Sequence, residues 1–397
     1  MVTLKVQNFK SIDDLEIELG RVNLLIGENG CGKSSILEAI GMASAAADDD
    51  LSPGALKARG IRVTDPSWMR SAFEERTKAM PVRLTLRNEI STYAAILTHD
   101  NTPYGVWRNQ VASDLAPLLK VPGGTLEDLS DRLNALSPDV RASLKTVFDL
   151  SNLPVGLSEA SDLARERFVA GALWTTGWLL KLPAYLAYAP REDVLRDLAR
   201  DSDVEPIGVH GEGLFKLLEV LHSEGKLPAV KEQLALLGWF DDISITSGVN
   251  PSSRTLQLRD IFLDGATPFD QRSANEGFLF VLLYACLLIS PHTPRFFAVD
   301  NVDTALNPKL CAGTVRMFAE LTKKYDKRVV LTAHNPGTLD GFNLHDDDVR
   351  LFVVYRNTEG KTQARRIMPV DVPAGTEPVR LSEAFLRGYL GALPTNF

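Results

Sequence analysis

Eight consecutive residues constrain this chain more than any others: Gly27-Glu28-Asn29-Gly30-Cys31-Gly32-Lys33-Ser34 reads Gly-x-x-x-x-Gly-Lys-Ser. The apolar run Val22–Ile26 leads into it, and Ile36, Leu37, Ala39 and Ile40 follow at helical spacing. Strand, glycine loop, helix is the context in which this pattern has a mechanism. The glycines let backbone N–H groups turn inward around phosphate oxygens, and the helix start points its positive dipole end at the same anion. Gly27, Asn29, Gly30, Gly32, Lys33, Ser34 and Ser35 form the expected phosphate-binding set. Lys33 is expected to reach the β- and γ-phosphates, and the Ser34 hydroxyl to ligate Mg²⁺. An ordinary glycine turn is the alternative, and the flanking strand and helix weigh against it. Cys31 fills a free position of the pattern and implies no redox role.

The surrounding pattern is α/β at both ends of the chain. Val2, Leu4 and Val6 alternate with polar residues, as do Leu15, Ile17 and Leu19, which predicts two half-buried strands. Further strands are expected at residues 82–86 and 93–97. Residues 113–182 read as helical, with breaks at Pro122-Gly123-Gly124 and Pro138 and no sustained heptads, so a compact helical insertion is expected rather than a coiled coil. Residues 192–239 are mostly helical too, and Gly208, Gly211 and Gly213 mark a turn before a helix. Residues 254–263 suggest a strand pair, 276–289 a buried helix, 296–300 a buried strand and 308–323 a helix. Residues 328–333, 351–355 and 364–368 read as late strands. The division is 1–110 for a first lobe, 111–190 for the insertion and 191–397 for a second lobe.

Arg295-Phe296-Phe297-Ala298-Val299-Asp300 is an apolar strand that ends in an acid. Such a strand can deliver a carboxylate to the Mg²⁺ shell beside the phosphate loop, so Asp300 joins Ser34 as a metal-ligand candidate. An acid at a strand end is common by itself, and the partner motifs give it weight.

Composition narrows the partners. The chain has 397 residues, a formal net charge of -8 and 45% apolar residues. That suits two or three units around a large core. An acidic chain is a poor prior for nonspecific nucleic-acid binding, which needs Lys and Arg against phosphate. A local basic patch stays open. Cys31, Cys286 and Cys311 make no CxxC pair and no disulfide framework, which points to a reduced, cytoplasmic setting. The start of the chain alternates apolar and polar residues, unlike a signal peptide. The most apolar run, residues 278–289, is shorter than the ~20 residues a bilayer span needs, so no membrane association is expected.

The order of motifs resembles a known family. The opening LKVQNFKSIDDLEIELGRVNLLIGENGCGKSSILEAI is similar to the N-terminal lobe of SMC, RecF and related ABC-type ATPase heads of the AAA group. FFAVDNVDTALNP and VVLTAHNP resemble the family's metal-binding strand with its following D-loop, and its strand ending Thr-x-His. The resemblance covers about residues 1–45 and 255–355 and leaves out the middle. It implies an α/β, two-lobed head with a mixed β lobe, a parallel-sheet phosphate-loop core and a helical insertion. It implies ATP and Mg²⁺ as cofactors, with Lys33 and Ser34 in the phosphate loop and Asp300 as the metal acid. His334 is implied as the histidine that senses the γ-phosphate, and residues 302–308 as the segment facing a partner subunit.

Two positions depart from the family. The residue after the metal acid is usually a glutamate that orients the attacking water, and here it is Asn301. An amide holds water by hydrogen bonds but cannot take its proton as a carboxylate does. Asp303 is a nearby substitute, so the expected catalytic set is Asp300, Asn301, Asp303 and His334, with slow hydrolysis. The second departure is the signature stretch, Ser-x-Gly at a helix start, which caps ATP held by the other subunit. Here Gly277 fits the glycine and Asn275 replaces the serine, with Ser273 as the alternative. Both are good N-cap residues, and a plain helix cap is the competing explanation. Gln7 and Gln110 both fit the family's Q-loop poorly.

The resemblance implies a homodimer that switches with nucleotide. A compact head of this kind is similar to ATPase subunits of bacterial anti-phage (antiviral) defence systems, which act with a partner effector protein. A RecF-like DNA repair or recombination ATPase is the alternative. An OLD-type nuclease is not expected, because little sequence follows the last ATPase-like strands and Asp346-Asp347-Asp348 reads as a solvated turn. A transporter is not expected either.

Overall fold

A computed structural model describes residues 1–88, 92–110, 182, 184–197, 205–246, 255–263, 268–369 and 379–390. The helical insertion expected at 111–190 falls almost entirely outside the described residues. Its last part differs from the expectation: Leu186–Tyr188 form a strand of the main sheet.

The first 110 residues supply an antiparallel sheet in the order β2-β1-β4-β5-β6. Its strands are β1 (Val2–Phe9), β2 (Ile12–Leu19), β4 (Val82–Arg87), β5 (Thr92–Thr98) and β6 (Arg108–Asn109). The alternation read from the sequence sets the register: Val2 faces Leu19, Leu4 faces Ile17 and Val6 faces Leu15. All six are buried, because side chains alternate faces along a strand and every second residue is apolar.

The main sheet runs β14-β13-β3-β12-β11-β7. It holds β3 (Val22–Ile26), β7 (Leu186–Tyr188), β11 (Phe296–Val299), β12 (Arg328–Thr332), β13 (Val349–Arg356) and β14 (Thr362–Ile367). The first lobe thus contributes its third strand to the centre of a sheet otherwise built from strands at residue 186 and beyond. Neighbours are parallel except for β14, which closes one edge antiparallel to β13. Both faces are covered, so the strands read as continuous apolar runs. Their alternate residues enter two separate cores. Leu24, Phe297, Val299, Val329 and Leu351 enter one. Leu25, Phe296, Ala298, Val330 and Phe352 enter the other.

Helix α1 (Lys33–Ala47) fills the space between the two sheets and is buried along nearly its whole length. On the opposite face lie α2 (Leu214–Ser223), α3 (Leu227–Leu234), α4 (Glu276–Ile289) and α5 (Pro308–Lys324). Helix α4 is apolar on every side, and each residue from Gly277 to Ile289 is buried. At ~1.5–3 kcal/mol for each large apolar side chain removed from water, it is a principal anchor of this core. It spans 14 residues, and no described helix is long and apolar enough to cross a membrane.

Residues 254–263 do not form the expected strand pair. They contribute one strand, β9 (Thr255–Asp260), between β10 (Phe269–Asp270) and β8 (Phe240–Thr246). The strand β8 was hidden in the sequence because only Ile243 of its seven residues is fully buried.

Candidate functional site: a phosphate loop facing two strand ends

In an open parallel sheet, ligands sit beyond the carboxyl ends of the strands. Here β3, β11 and β12 deliver Gly27, Asp300 and Ala333 to that edge. Gly27 has φ +150°, and a Cβ there would come within 2.0 Å of the Val354 carbonyl oxygen. The chain leaves β3 too close to β13 for any side chain. Gly32 (φ +110°) caps α1 in the left-handed region, which favours glycine.

Lys33 is buried, and its ammonium donates to the Gly27 and Glu28 carbonyls at 2.8 and 2.9 Å. Burial lowers its pKa, while Cys31, Asp300 and Asp303 pull it back up. Asn29 and Gly30 are exposed on the loop, and Ser35 is buried in the first turn of α1. Burial also raises the Cys31 thiol, so it stays protonated at neutral pH.

Ser34 Oγ donates to Asp300 Oδ2 at 2.9 Å, across 266 residues of sequence. The other Asp300 oxygen, Oδ1, accepts from Thr332 Oγ1 at 2.5 Å. The Asp300 N–H donates to the Tyr188 carbonyl at 2.8 Å, which fixes the end of β11 against β7. Thr332 also accepts from the Asn301 N–H at 2.7 Å. The threonine of the Thr-x-His strand therefore orients the acid. Sequence reasoning singled out His334 of that motif and missed this contribution.

Asn301 is exposed and has φ +55°. Asparagine tolerates this left-handed conformation better than most residues, which gives Asn301 a backbone reason to be there. Asp303 is placed differently from a free base. Its Oδ2 accepts the His334 N–H at 2.8 Å and the Asn335 N–H by a shorter contact. It ties the turn after β11 to the turn after β12. His334 lies beside it, exposed at the edge. Partial shielding of its ring from water first and Lys33 second lower the His334 pKa, which favours the neutral imidazole, while Asp303 and Asp300 oppose them.

The signature candidates sit at the start of α4. Asn275 Oδ1 accepts the Phe278 N–H at 2.8 Å, an N-cap worth ~1 kcal/mol. Ser273 is exposed one turn earlier, and Arg196 holds this turn by donating to the Gln271, Arg272 and Ala274 carbonyls. Gly277 is buried, and a Cβ there would lie 3.4 Å from the Ala305 carbonyl oxygen. The helix start and the 302–308 segment are thus neighbours within one chain. Gln7 pairs with Asp14 at 2.9 Å on the outer sheet, far in sequence from these motifs.

One family model matches part of this chain. Residues 3–161 match the AAA domain. That span includes the phosphate loop and α1. No curated protein matches the sequence. Among solved structures, the chain is similar to an Smc head bound to the C-terminal winged-helix domain of ScpA, with 13% identity, 92% of this chain and 97% of that one covered, and a TM-score of 0.48. It is similar to the Smc head with an extended coiled coil from Pyrococcus furiosus, bound to the C-terminal domain of ScpA, at 14% identity, 93% and 97% coverage and a TM-score of 0.45. The SMC head from Thermotoga maritima aligns at 16% identity, 93% and 98% coverage and a TM-score of 0.43.

Proposed function

We propose that the chain binds ATP with Mg²⁺ at Gly27–Ser34 and works as a slow, nucleotide-switched ATPase head that closes as a homodimer. The observation that carries this reading is the meeting of Ser34 with Asp300 beside the phosphate loop. A hydroxyl and a carboxylate, both hard oxygen donors, fit Mg²⁺, which binds through one or two protein groups plus substrate phosphates and water. A denser ligand set is not needed, and among the described residues no group of three or more His, Cys, Asp or Glu side chains is placed to hold a metal. When bound, Mg²⁺ would neutralise phosphate charge.

Each residue has a separate task. Lys33 exchanges its two carbonyl acceptors for phosphate oxygens. Thr332 holds the Asp300 carboxylate in place toward Ser34. His334, neutral and next to the Lys33 field, offers a hydrogen bond at the γ-phosphate end. Asn301 holds the attacking water without taking its proton, which passes instead to a phosphate oxygen of the substrate. Asp303 positions His334 through the backbone.

A single phosphate loop leaves the γ-phosphate side of ATP open. We assign its closure to the α4 start of a second copy, presenting Ser273 and Asn275. Ligand that contacts both copies favours the closed pair by its differential affinity for that state. Gly277 is a poor probe of this face, because it is buried against Ala305 and Leu306 and a large side chain would disturb the monomer. Ser273 is exposed and serves better. Light scattering and small-angle scattering without nucleotide, with ATP and with ADP should show a larger mass or a more compact pair only with ATP. Ser273→Arg should abolish that response while keeping ATP binding. A wild type whose mass and shape ignore ATP, or a variant that responds as the wild type does, refutes the dimer switch.

The setting we propose is bacterial phage defence beside a partner effector, on the resemblance of a compact head with an insertion to such ATPase subunits. The RecF-like reading is the alternative. Co-purification with the product of an adjacent gene supports the first, and salt-sensitive retention on duplex DNA without such a partner supports the second.

A further inference from the structure

The β13–β14 hairpin lies across the outer side of the phosphate loop. Arg356, exposed at the end of β13, donates to the Gly30 carbonyl from Nε at 3.0 Å and from Nη2 at 2.9 Å. Its Nη1 donates to the Gly360 carbonyl at 2.6 Å, across its own hairpin. Thr362, buried at the start of β14, places Oγ1 2.8 Å from the Cys31 carbonyl oxygen and 2.8 Å from Ser11 Oγ. A hydroxyl has one proton to give. Donation therefore runs from Ser11 to Thr362 and from Thr362 to Cys31. The Thr362 N–H also donates to the Ser11 carbonyl at 2.8 Å, and Lys361 pairs with Asp13 at 2.9 Å. The hairpin, the β1–β2 turn and the phosphate loop are one hydrogen-bonded unit.

A trans peptide unit is planar, with its C=O and N–H pointing in opposite directions. Holding the Gly30 and Cys31 carbonyls outward turns the Cys31 and Gly32 N–H groups toward the loop interior. The Cys31 N–H already faces across the loop, with a long 3.4 Å contact to the Glu28 carbonyl. Inward N–H groups are what a phosphate needs from such a loop. The same packing explains Gly32, where a Cβ would come within 2.3 Å of Thr362 Oγ1 and 2.9 Å of Ser11 Oγ.

We propose that Thr362 and Arg356 are positioning residues for phosphate binding, which act by fixing the peptide planes at Gly30–Cys31 and Cys31–Gly32. This rests on the phosphate-loop reading above. A hairpin that merely added stability would change melting temperature and leave nucleotide preference untouched.

The test is calorimetric titration of Mg-ATP and of AMP into the full chain, with melting curves in the absence of nucleotide. Thr362→Val removes the hydroxyl and keeps the shape. It should weaken ATP binding about 10-fold, the scale of one well-placed hydrogen bond, and lower the ratio of ATP to AMP affinity. Thr362→Ser restores the donor and should stay within about 2-fold of wild type. Arg356→Met, at an exposed site, should weaken ATP about 3-fold without lowering the melting temperature. Unchanged ATP affinity in Thr362→Val, or equal losses for ATP and AMP, overturns the proposal. If Thr362→Val does not fold, wild-type ATP affinity in Arg356→Met overturns it instead. A wild type that binds no ATP fails at the earlier step and removes the phosphate-loop reading itself.

Discussion

Lys33→Ala is expected to weaken ATP binding at least about 100-fold while the chain stays folded, because hydrogen bonds to charged groups are worth roughly 1.5–3 kcal/mol each and this ammonium would make more than one to phosphate. The Lys33 ammonium also bridges the Gly27 and Glu28 carbonyls, so its removal loosens the loop. That cost is local. Ile36 and Leu37, which carry the core packing of this helix start, are untouched, and Glu28 is exposed. The expected pattern is a large loss of affinity with a small change in melting temperature. Calorimetry with ATP, paired with a thermal melt followed by circular dichroism, measures both. A folded Lys33→Ala protein that binds ATP like the wild type would remove the phosphate loop from the mechanism.

The strand, glycine loop and helix around residues 27–34 were legible because their constraint is local. Gly27, Gly32, Lys33 and Ser34 lie within eight residues, and the strand before them and the helix after them have clear periodicity. Asp300 was legible for a similar reason: four buried apolar residues precede it and set it at a strand end. The buried run of α4 follows from its unbroken apolar length, and the β1–β2 pair from its alternation.

What remained hidden depends on contacts between distant segments. In sequence Thr362 is a polar residue just before the strand expected at 364–368, and its hydroxyl gains meaning only by meeting Cys31, 331 residues away. Thr332 likewise looks like one more residue of the strand expected at 328–333 until Asp300 is placed beside it. Asp303 resembled a substitute base because it is acidic and near Asn301. One of its carboxylate oxygens, Oδ2, also accepts from two backbone N–H groups, a positioning task the sequence does not reveal. Gly277 fitted a signature position by sequence, and a Cβ there would meet Ala305 only at an ordinary 3.4 Å contact, so packing against that segment does not itself require glycine. No sequence pattern reports a left-handed φ at Asn301.

That φ sharpens the expectation for Asn301→Glu. The position follows the metal acid directly, where a carboxylate would be able to accept the proton of the attacking water. General-base catalysis contributes about 10²–10⁴-fold where it operates, so a well-aimed glutamate should raise steady-state phosphate release by about 10–100-fold. The gain is placed at the lower end because glutamate must adopt φ near +55°, which costs a non-glycine residue without a short polar side chain roughly 1–2 kcal/mol. The Asn301 N–H to Thr332 bond holds the backbone in that conformation, so the variant should fold with a modestly lower melting temperature. Asp303 is a less direct route in the wild type, since its Oδ2 is held by the His334 and Asn335 amides. Wild-type turnover should accordingly be slow, and Asn301→Glu faster with little change in ATP affinity. A wild type that already hydrolyses at the rate of a brisk ATPase, or an Asn301→Glu protein that binds ATP and is no faster, would show that proton transfer at this position does not limit the reaction.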